Sequence, residues 1–188
     1  MIKQYGMLVD RKRCIGCEAC TIACKTENGT PIGVNWHRVL TIGGKHKDTP
    51  AGTYPNLSMS WLPVPCMHCQ NPPCERVCPT AAITRRADGI VLIDKGKCIG
   101  CQYCVWACPY EVPQYNAQAG VVEKCTLCAQ RVDQGQQPFC VEVCVWGARI
   151  FGDLNDPNSE VSKAIVRKHG EVLMLEQGTK PVVYYSPP

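Results

Sequence analysis

Sixteen cysteines gathered into four quartets constrain this chain of 188 residues more than any other feature. The first quartet is Cys14, Cys17, Cys20 and Cys24, spaced C-x2-C-x2-C-x3-C. The second is Cys66, Cys69, Cys74 and Cys78, spaced C-x2-C-x4-C-x3-C. The third, Cys98, Cys101, Cys104 and Cys108, repeats the spacing of the first, and the fourth, Cys125, Cys128, Cys140 and Cys144, is spaced C-x2-C-x11-C-x3-C. A disulfide scaffold would explain an even, high count. It does not suit C-x2-C-x2-C, where cross-links between such close neighbours remove little chain entropy. Paired C-x2-C steps also close tetrahedral zinc sites, and the fourth quartet alone reads that way. Zinc, however, has no use for the third cysteine that two quartets carry at the next step. An iron–sulfur reading accommodates every quartet: three thiolates on one loop wrap three corners of a cube, and the fourth, a helical turn further on, points to a neighbouring cluster. Pro79 and Pro109 after Cys78 and Cys108 match the bacterial two-cluster pattern. The quartets therefore predict four [4Fe–4S] clusters.

The rest of the composition agrees that something other than a core staples the fold. The hydrophobic fraction of 45% falls to about 36% without the cysteines, and aromatics make up only 7%. So lean a core struggles against the entropy of ordering the chain. The formal charge is +4 with neutral cysteines. Four oxidised clusters at about −2 each turn that into about −4, so the basic balance is no argument for nucleic acid. No run of 18 apolar residues is present to span a membrane. Neither a Gly-rich phosphate loop nor a histidine quartet is found. His68, between Cys66 and Cys69, reads as a hydrogen-bonding or surface residue more readily than as a ligand.

An internal repeat organises the chain. Residues 8–24 align without gaps onto 92–108, with nine of 17 positions identical, among them Asp10, Gly16 and the four cysteines. Each copy reads as strand, turn, cysteine loop and short helix. Gly16 and Gly100 let backbone N–H groups approach cluster sulfurs. The second and fourth quartets share a weaker likeness. The fold class expected is α+β: two bacterial-ferredoxin-like units, each with two clusters, plus loop insertions and a C-terminal tail. Residues 1–152 form the pseudo-twofold cluster domain, with 25–65 a surface insertion tacked down by Trp36 and Trp61. Residues 153–188 form a helix and an extended partner-docking tail. Asp156 and Pro157 read as the helix N-cap and first position. The Val161 and Ile165 face and the arm carrying Tyr184, Tyr185 and Pro187 are its expected docking surfaces.

In the order and spacing of its quartets the chain resembles the four-cluster electron-transfer subunits of the molybdopterin dimethyl sulfoxide reductase family, of the polysulfide, thiosulfate, dimethyl sulfoxide and arsenate reductase type. The run from Cys144 through Trp146, Gly147 and Arg149 to Asp153 is similar to their closing motif. The resemblance implies cross-ligation. Cluster one takes Cys14, Cys17, Cys20 and Cys144. Cluster two takes Cys66, Cys69, Cys74 and Cys108. Cluster three takes Cys98, Cys101, Cys104 and Cys78, and cluster four takes Cys125, Cys128, Cys140 and Cys24. Nitrate-reductase relatives carry Trp at the position of Cys101 and lose an iron there, whereas this chain keeps the cysteine. Most relatives place Pro after the last cysteine, where this chain has Val145.

The function that follows is a non-catalytic relay through four [4Fe–4S] clusters in a respiratory oxidoreductase. It implies a large catalytic partner carrying a molybdenum or tungsten bis-pterin cofactor, and often a membrane quinone-reactive subunit, with no membrane span and no nucleic acid bound by this chain. The alternatives are an electron-transfer subunit of a hydrogenase or formate dehydrogenase and, in a different class, a structural zinc-binding interaction module. Residues 1–10 carry no signal-peptide pattern. The expected location is the periplasm, reached as the passenger of a partner with a twin-arginine leader; the alternative is the cytoplasm.

Overall fold

The computed structural model describes residues 2–188. The elements run β1 (Tyr5–Val9), α1 (Ala19–Asn28), β2 (Arg38–Ile42), β3 (Ala51–Thr53), β4 (Asn56–Ser58), β5 (Ser60–Val64), α2 (Pro73–Arg76), β6 (Ile83–Arg85) and β7 (Val91–Ile93). They continue with α3 (Tyr103–Ala107), β8 (Gln114–Asn116), β9 (Val121–Glu123), α4 (Ala129–Val132), α5 (Phe139–Glu142), β10 (Arg149–Asp153), α6 (Glu160–Arg167), β11 (Glu171–Val172) and β12 (Val183–Tyr185). Most are too short to stand alone, since isolated hairpins and one-turn helices are marginal in water. Among the described residues no helix is long and apolar enough to cross a membrane.

The repeat in the sequence has a counterpart in the pairing. β1 pairs antiparallel with β10, Val9 opposite Arg149; β7 pairs antiparallel with β6, Ile93 opposite Ile83. α1 packs on α5 as α3 packs on α2. Left-handed backbone recurs at matching positions of the loops: Gly16 and Gly100, Glu18 and Gln102, His68 and Leu127. Such curls turn successive N–H groups toward the inside of a loop. A Cβ on Gly16 would run into the Trp61 indole, and one on Gly100 into the Gly120 carbonyl. Glycine is thus required there by space as well as by φ.

The larger sheet has the order β10-β1-β12-β11, with β12 parallel to β1. Both faces of β1 are covered, so its side chains alternate between two apolar environments. Met7 and Val9 join the main core with Met67, Ile90, Leu127 and Val183, while Leu8 meets Val161 and Ala164 of α6 on the other face.

Three expectations are corrected here. The extended tail is not a free docking arm: β12 is an inner strand, and Val182, Val183 and Tyr185 are buried. Its apolar alternation serves the core, and the segment before it accepts the N–H groups of Gln70 and Asn71 at Lys180 and Thr179. Val161, on the face of α6 that packs against Leu8 of β1, is likewise buried rather than offered to a partner, with Ile165 partly buried beside it. The N-cap of α6 is Ser159, whose hydroxyl accepts the Ser162 N–H at 3.2 Å. Asp156 and Pro157 lie in the turn before it, because Asp156 uses its carboxylate on the Asn158 N–H instead. Residues 25–65 are more than a surface insertion. They complete α1 and form the β2–β5 and β3–β4 hairpins, and they bury Val34, Trp36, His37, Val39 and Val64.

A polar latch closes the end of β1. Asp10 is buried and accepts from Lys168 at 2.7 Å, from Ser186 and from the Lys12 N–H. Burial alone would raise its carboxyl pKa, but Lys168 and the two other donors outweigh that and hold it below the ordinary value. Because the folded value is depressed, the latch contributes stability above the usual carboxylate range and loses it as pH falls below that range through the lower folded value.

Candidate metal centres

The sixteen thiols, all unpaired, line four cavities. Cys14, Cys17, Cys20 and Cys144 line one. Cys66, Cys69, Cys74 and Cys108 line a second. Cys98, Cys101, Cys104 and Cys78 line a third, and Cys125, Cys128, Cys140 and Cys24 a fourth. Each therefore takes three cysteines from one quartet and the last from another. Helix geometry explains the exchange on α1: Cys24 lies one turn, about 6 Å, beyond Cys20 and meets the next cavity. α5 and α2 present Cys140 and Cys74 from their first turns, while Cys144 and Cys78 follow those helices and cross over.

The cavities stand in a row. The Cys140 thiol of the Cys125 cavity feels Cys20 of the Cys14 cavity. Cys125 packs with Cys66, and Cys74 packs with Cys104, Cys78 and Cys98. The order is Cys14, Cys125, Cys66, Cys98. Only Cys17 and Cys101, in the two outer cavities, are exposed among the sixteen.

Amide donors are aimed at the sulfurs in a repeating pattern. Ala148 N–H donates to Cys144 Sγ at 3.2 Å and Ala82 N–H to Cys78 Sγ at 3.3 Å. Leu127 N–H donates to Cys125 Sγ at 3.4 Å and His68 N–H to Cys66 Sγ at 3.5 Å. Around the Cys125 cavity, Asn28 Nδ2 lies 3.7 Å from Cys24 Sγ, and the buried Thr126 hydroxyl, which lines that cavity, has no partner. Donors directed at sulfur stabilise thiolate rather than thiol.

The buried thiols resist ionisation. Burial, followed by repulsion from neighbouring thiolates, pushes Cys69 and Cys74 up to about 12. Burial together with Cys66 and Cys140 does the same to Cys125, also to about 12. Burial and the Cys125, Cys140 and Cys128 thiolates raise Cys24 further. Cys78 moves the other way: burial would raise it, but the Thr80 hydroxyl and the amides of Ile83, Ala82 and Thr80 prevail. Thiolates at these buried positions thus require a strongly cationic occupant, whose binding expels protons. Among the described residues no three Cys, His, Asp or Glu side chains converge as a single metal ion demands. Thiolates on one zinc ion share bonds of about 2.3 Å. All-cysteine quartets spread more widely around a cavity fit a polynuclear iron–sulfur group instead.

His37 and Lys124, both near the cavities, were not singled out from the sequence, whereas His68 reads there as a hydrogen-bonding or surface residue rather than a ligand. His37 is buried and held neutral by burial and by Arg149; its Nδ1 pairs with Thr21 Oγ1 at 3.1 Å and its Nε2 with the Arg149 guanidinium. Lys124 is buried beside the Cys66 cavity. His68 is fully buried, accepts the Val91 N–H through Nδ1 at 3.0 Å, and lines none of the four cavities. The one available signal was in the repeat, where Arg149 falls five residues after its quartet at the place of Ile83.

Comparison with known proteins bears on these cavities. The 4Fe-4S dicluster domain family matches residues 57–154. The chain is 43% identical to a tetrathionate reductase subunit of Salmonella typhimurium, over 97% of this chain and 72% of that protein. It is 42% identical to a sulfite dehydrogenase subunit of Allochromatium vinosum, over 98% and 83%. It is 45% identical to the thiosulfate reductase electron transfer subunit of Salmonella typhi, over 89% and 84%.

Proposed function

The chain belongs to the 4Fe-4S dicluster family, and on that premise we propose that it relays electrons as the iron–sulfur subunit of a respiratory molybdenum or tungsten oxidoreductase. The observation that carries this reading is the sharing of cysteines. Four cavities in a row, each with three thiols from one quartet and a fourth from another, suit four [4Fe–4S] clusters ligated across two ferredoxin-like units. One unit comprises residues 5–24 and 125–153, the other residues 66–108. The pairing of β1 with β10 and of β7 with β6 supports that division.

When bound, such clusters take up and return single electrons, at potentials between roughly −700 and +450 mV set by their surroundings. The protein's part is to hold the thiolates, aim amides at them and keep water from the inner two cavities, where six of the eight cysteines are buried and Cys66 and Cys108 partly so.

Partners are proposed at the two ends of the row. Ile15, Val145 and Trp146 are exposed beside the Cys14 cavity, and Ile99, Tyr103 and Trp106 beside the Cys98 cavity. Apolar and aromatic groups clustered on a surface mark contact sites. A large molybdopterin catalytic subunit at one end and a membrane quinone-reactive subunit at the other would bring a donor and an acceptor to the exposed cavities.

Analysis of anaerobically purified protein is expected to find about 16 iron and 16 acid-labile sulfide per chain. Stoichiometric zinc with little iron would instead support a structural module and overturn the relay. Sixteen unpaired thiols also call for loading in a reducing compartment. We therefore propose that the chain folds in the cytoplasm and reaches the periplasm with a catalytic partner that carries a twin-arginine leader. Fractionation of cells with and without that leader is the check: periplasmic arrival without it, or cytoplasmic retention with it intact, would refute the passenger route.

A further inference from the structure

Two cations lie inside the protein with no carboxylate beside them. Arg149 is 4% exposed and Lys124 2%, and among the described residues neither forms an ion pair with Asp or Glu. A lone buried charge is costly unless an opposite charge faces it. What faces these two is sulfur. One guanidinium nitrogen of Arg149 donates to Cys140 Sγ at 3.6 Å and to Met7 Sδ at 3.4 Å. The other meets the neutral His37, and the group also faces Cys20 and Cys144. Arg149 therefore stands at the junction of the Cys14 and Cys125 cavities. The Lys124 ammonium donates to the Val91 carbonyl and to the Cys125 carbonyl, the latter at 3.1 Å. It lines the Cys66 cavity and acts on the thiols of Cys74 and Cys125, so it stands at the next junction.

The internal repeat shows that the architecture does not need charge at these places. Arg149 opposite Val9 corresponds to Ile83 opposite Ile93. Lys124, the residue before the first cysteine of its quartet, corresponds to Pro65 before Cys66. The Cys98 cavity has no charged side chain in its lining.

We propose that Arg149 and Lys124 are internal counter-cations shared between neighbouring clusters: Arg149 raises the reduction potentials of those in the Cys14 and Cys125 cavities, and Lys124 of those in the Cys66 and Cys125 cavities. Both act on the Cys125 cavity, and neither on the Cys98 cavity. The inference rests on the iron–sulfur reading above. Reduction adds one electron from a redox partner to a group already near −2, with no bond made or broken, so a fixed positive charge nearby favours the reduced form. A unit charge about 10 Å away, at an effective dielectric of about 20, alters such an equilibrium about tenfold.

The test is an EPR-monitored potentiometric titration of the full-length, cluster-loaded protein, with dithionite as reductant. Each signal is assigned by the cysteine variant that removes it. Arg149→Gln is expected to disfavour reduction about tenfold at the clusters of the Cys14 and Cys125 cavities, a fall of about 59 mV for one electron. Lys124→Gln is expected to do so at the Cys66 and Cys125 cavities, with Arg149→Lys and Lys124→Arg close to the parent protein. Unchanged potentials, or one uniform shift of all four, would overturn the proposal. If the neutral variants fail to load while the charge-conserving ones load with parental potentials, charge is what the clusters require and the proposal stands. If the charge-conserving variants fail too, shape rather than charge is needed and it falls. A parent protein without iron would instead refute the iron–sulfur reading itself.

Discussion

Stripping iron anaerobically from the purified protein is expected to unfold most of it rather than leave an empty shell. The reason lies in what the core is made of. Cys24, Cys69, Cys74, Cys104, Cys125, Cys128 and Cys140 are counted among its buried residues, and the apolar clusters close around them. α2, α3, α4 and α5 have four or five residues each, and β6–β7 and β8–β9 are isolated hairpins of three-residue strands. None of these persists in water without tertiary support. Metal binding at a site that does not exist in the unfolded chain is folding energy; for structural zinc it is about 10–16 kcal/mol, comparable to the whole stability of an ordinary domain, about 5–15 kcal/mol. Far-UV circular dichroism and limited proteolysis before and after chelation check this. A spectrum and cleavage pattern unchanged by full iron loss would show that the apolar core suffices.

Replacing Cys24 by Ser is expected to damage the cluster of the Cys125 cavity, not that of the loop to which Cys24 belongs. Cys24 Sγ sits with Cys125, Cys128 and Cys140 and accepts from Asn28. A serine there leaves one corner of that cube poorly ligated. The loss should be between one and four of the roughly 16 irons, with the EPR signal of the Cys14 cavity intact. Because the Cys125 cavity is second in the row, electron transfer from end to end should fail even though both exposed ends are untouched. A defect confined to the cluster of Cys14, Cys17 and Cys20 would mean that the cysteines are not exchanged.

The two experiments mark different depths of legibility. Thiols three residues apart on one loop reach one cube whatever surrounds them, so three ligands of the Cys14 and Cys98 cavities could be named from spacing, whereas the wider steps to Cys74 and Cys140 left those ligands to the resemblance. The strand, loop and helix around each of the two repeated quartets could be named as well, because Asp10, Gly16 and their counterparts are local turn signals. The tail could not. Residues 180–185 have the same apolar, extended pattern whether they form an arm for a partner or a parallel strand beside β1. The choice depends on the Met7 and Val9 backbone lying free to pair, which is a long-range condition. Ser159 prevailed over Asp156 as the cap of α6 for a related reason, since both are good N-caps and only the docking of Val161 on Leu8 sets where the helix begins.

By itself the sequence determined the number of thiols, their grouping and hence the kind of metal that the chain can hold, because ligand chemistry is a property of residue type and short spacing. Only the tertiary structure decided which fourth cysteine closes each cavity from the residues themselves, the order in which the cavities follow one another, and the burial of Arg149, Lys124 and His37 at their junctions. Those depend on helices and strands far apart in the chain meeting at a few ångströms, and a charge gains its effect on a neighbour only through that distance and through the exclusion of water.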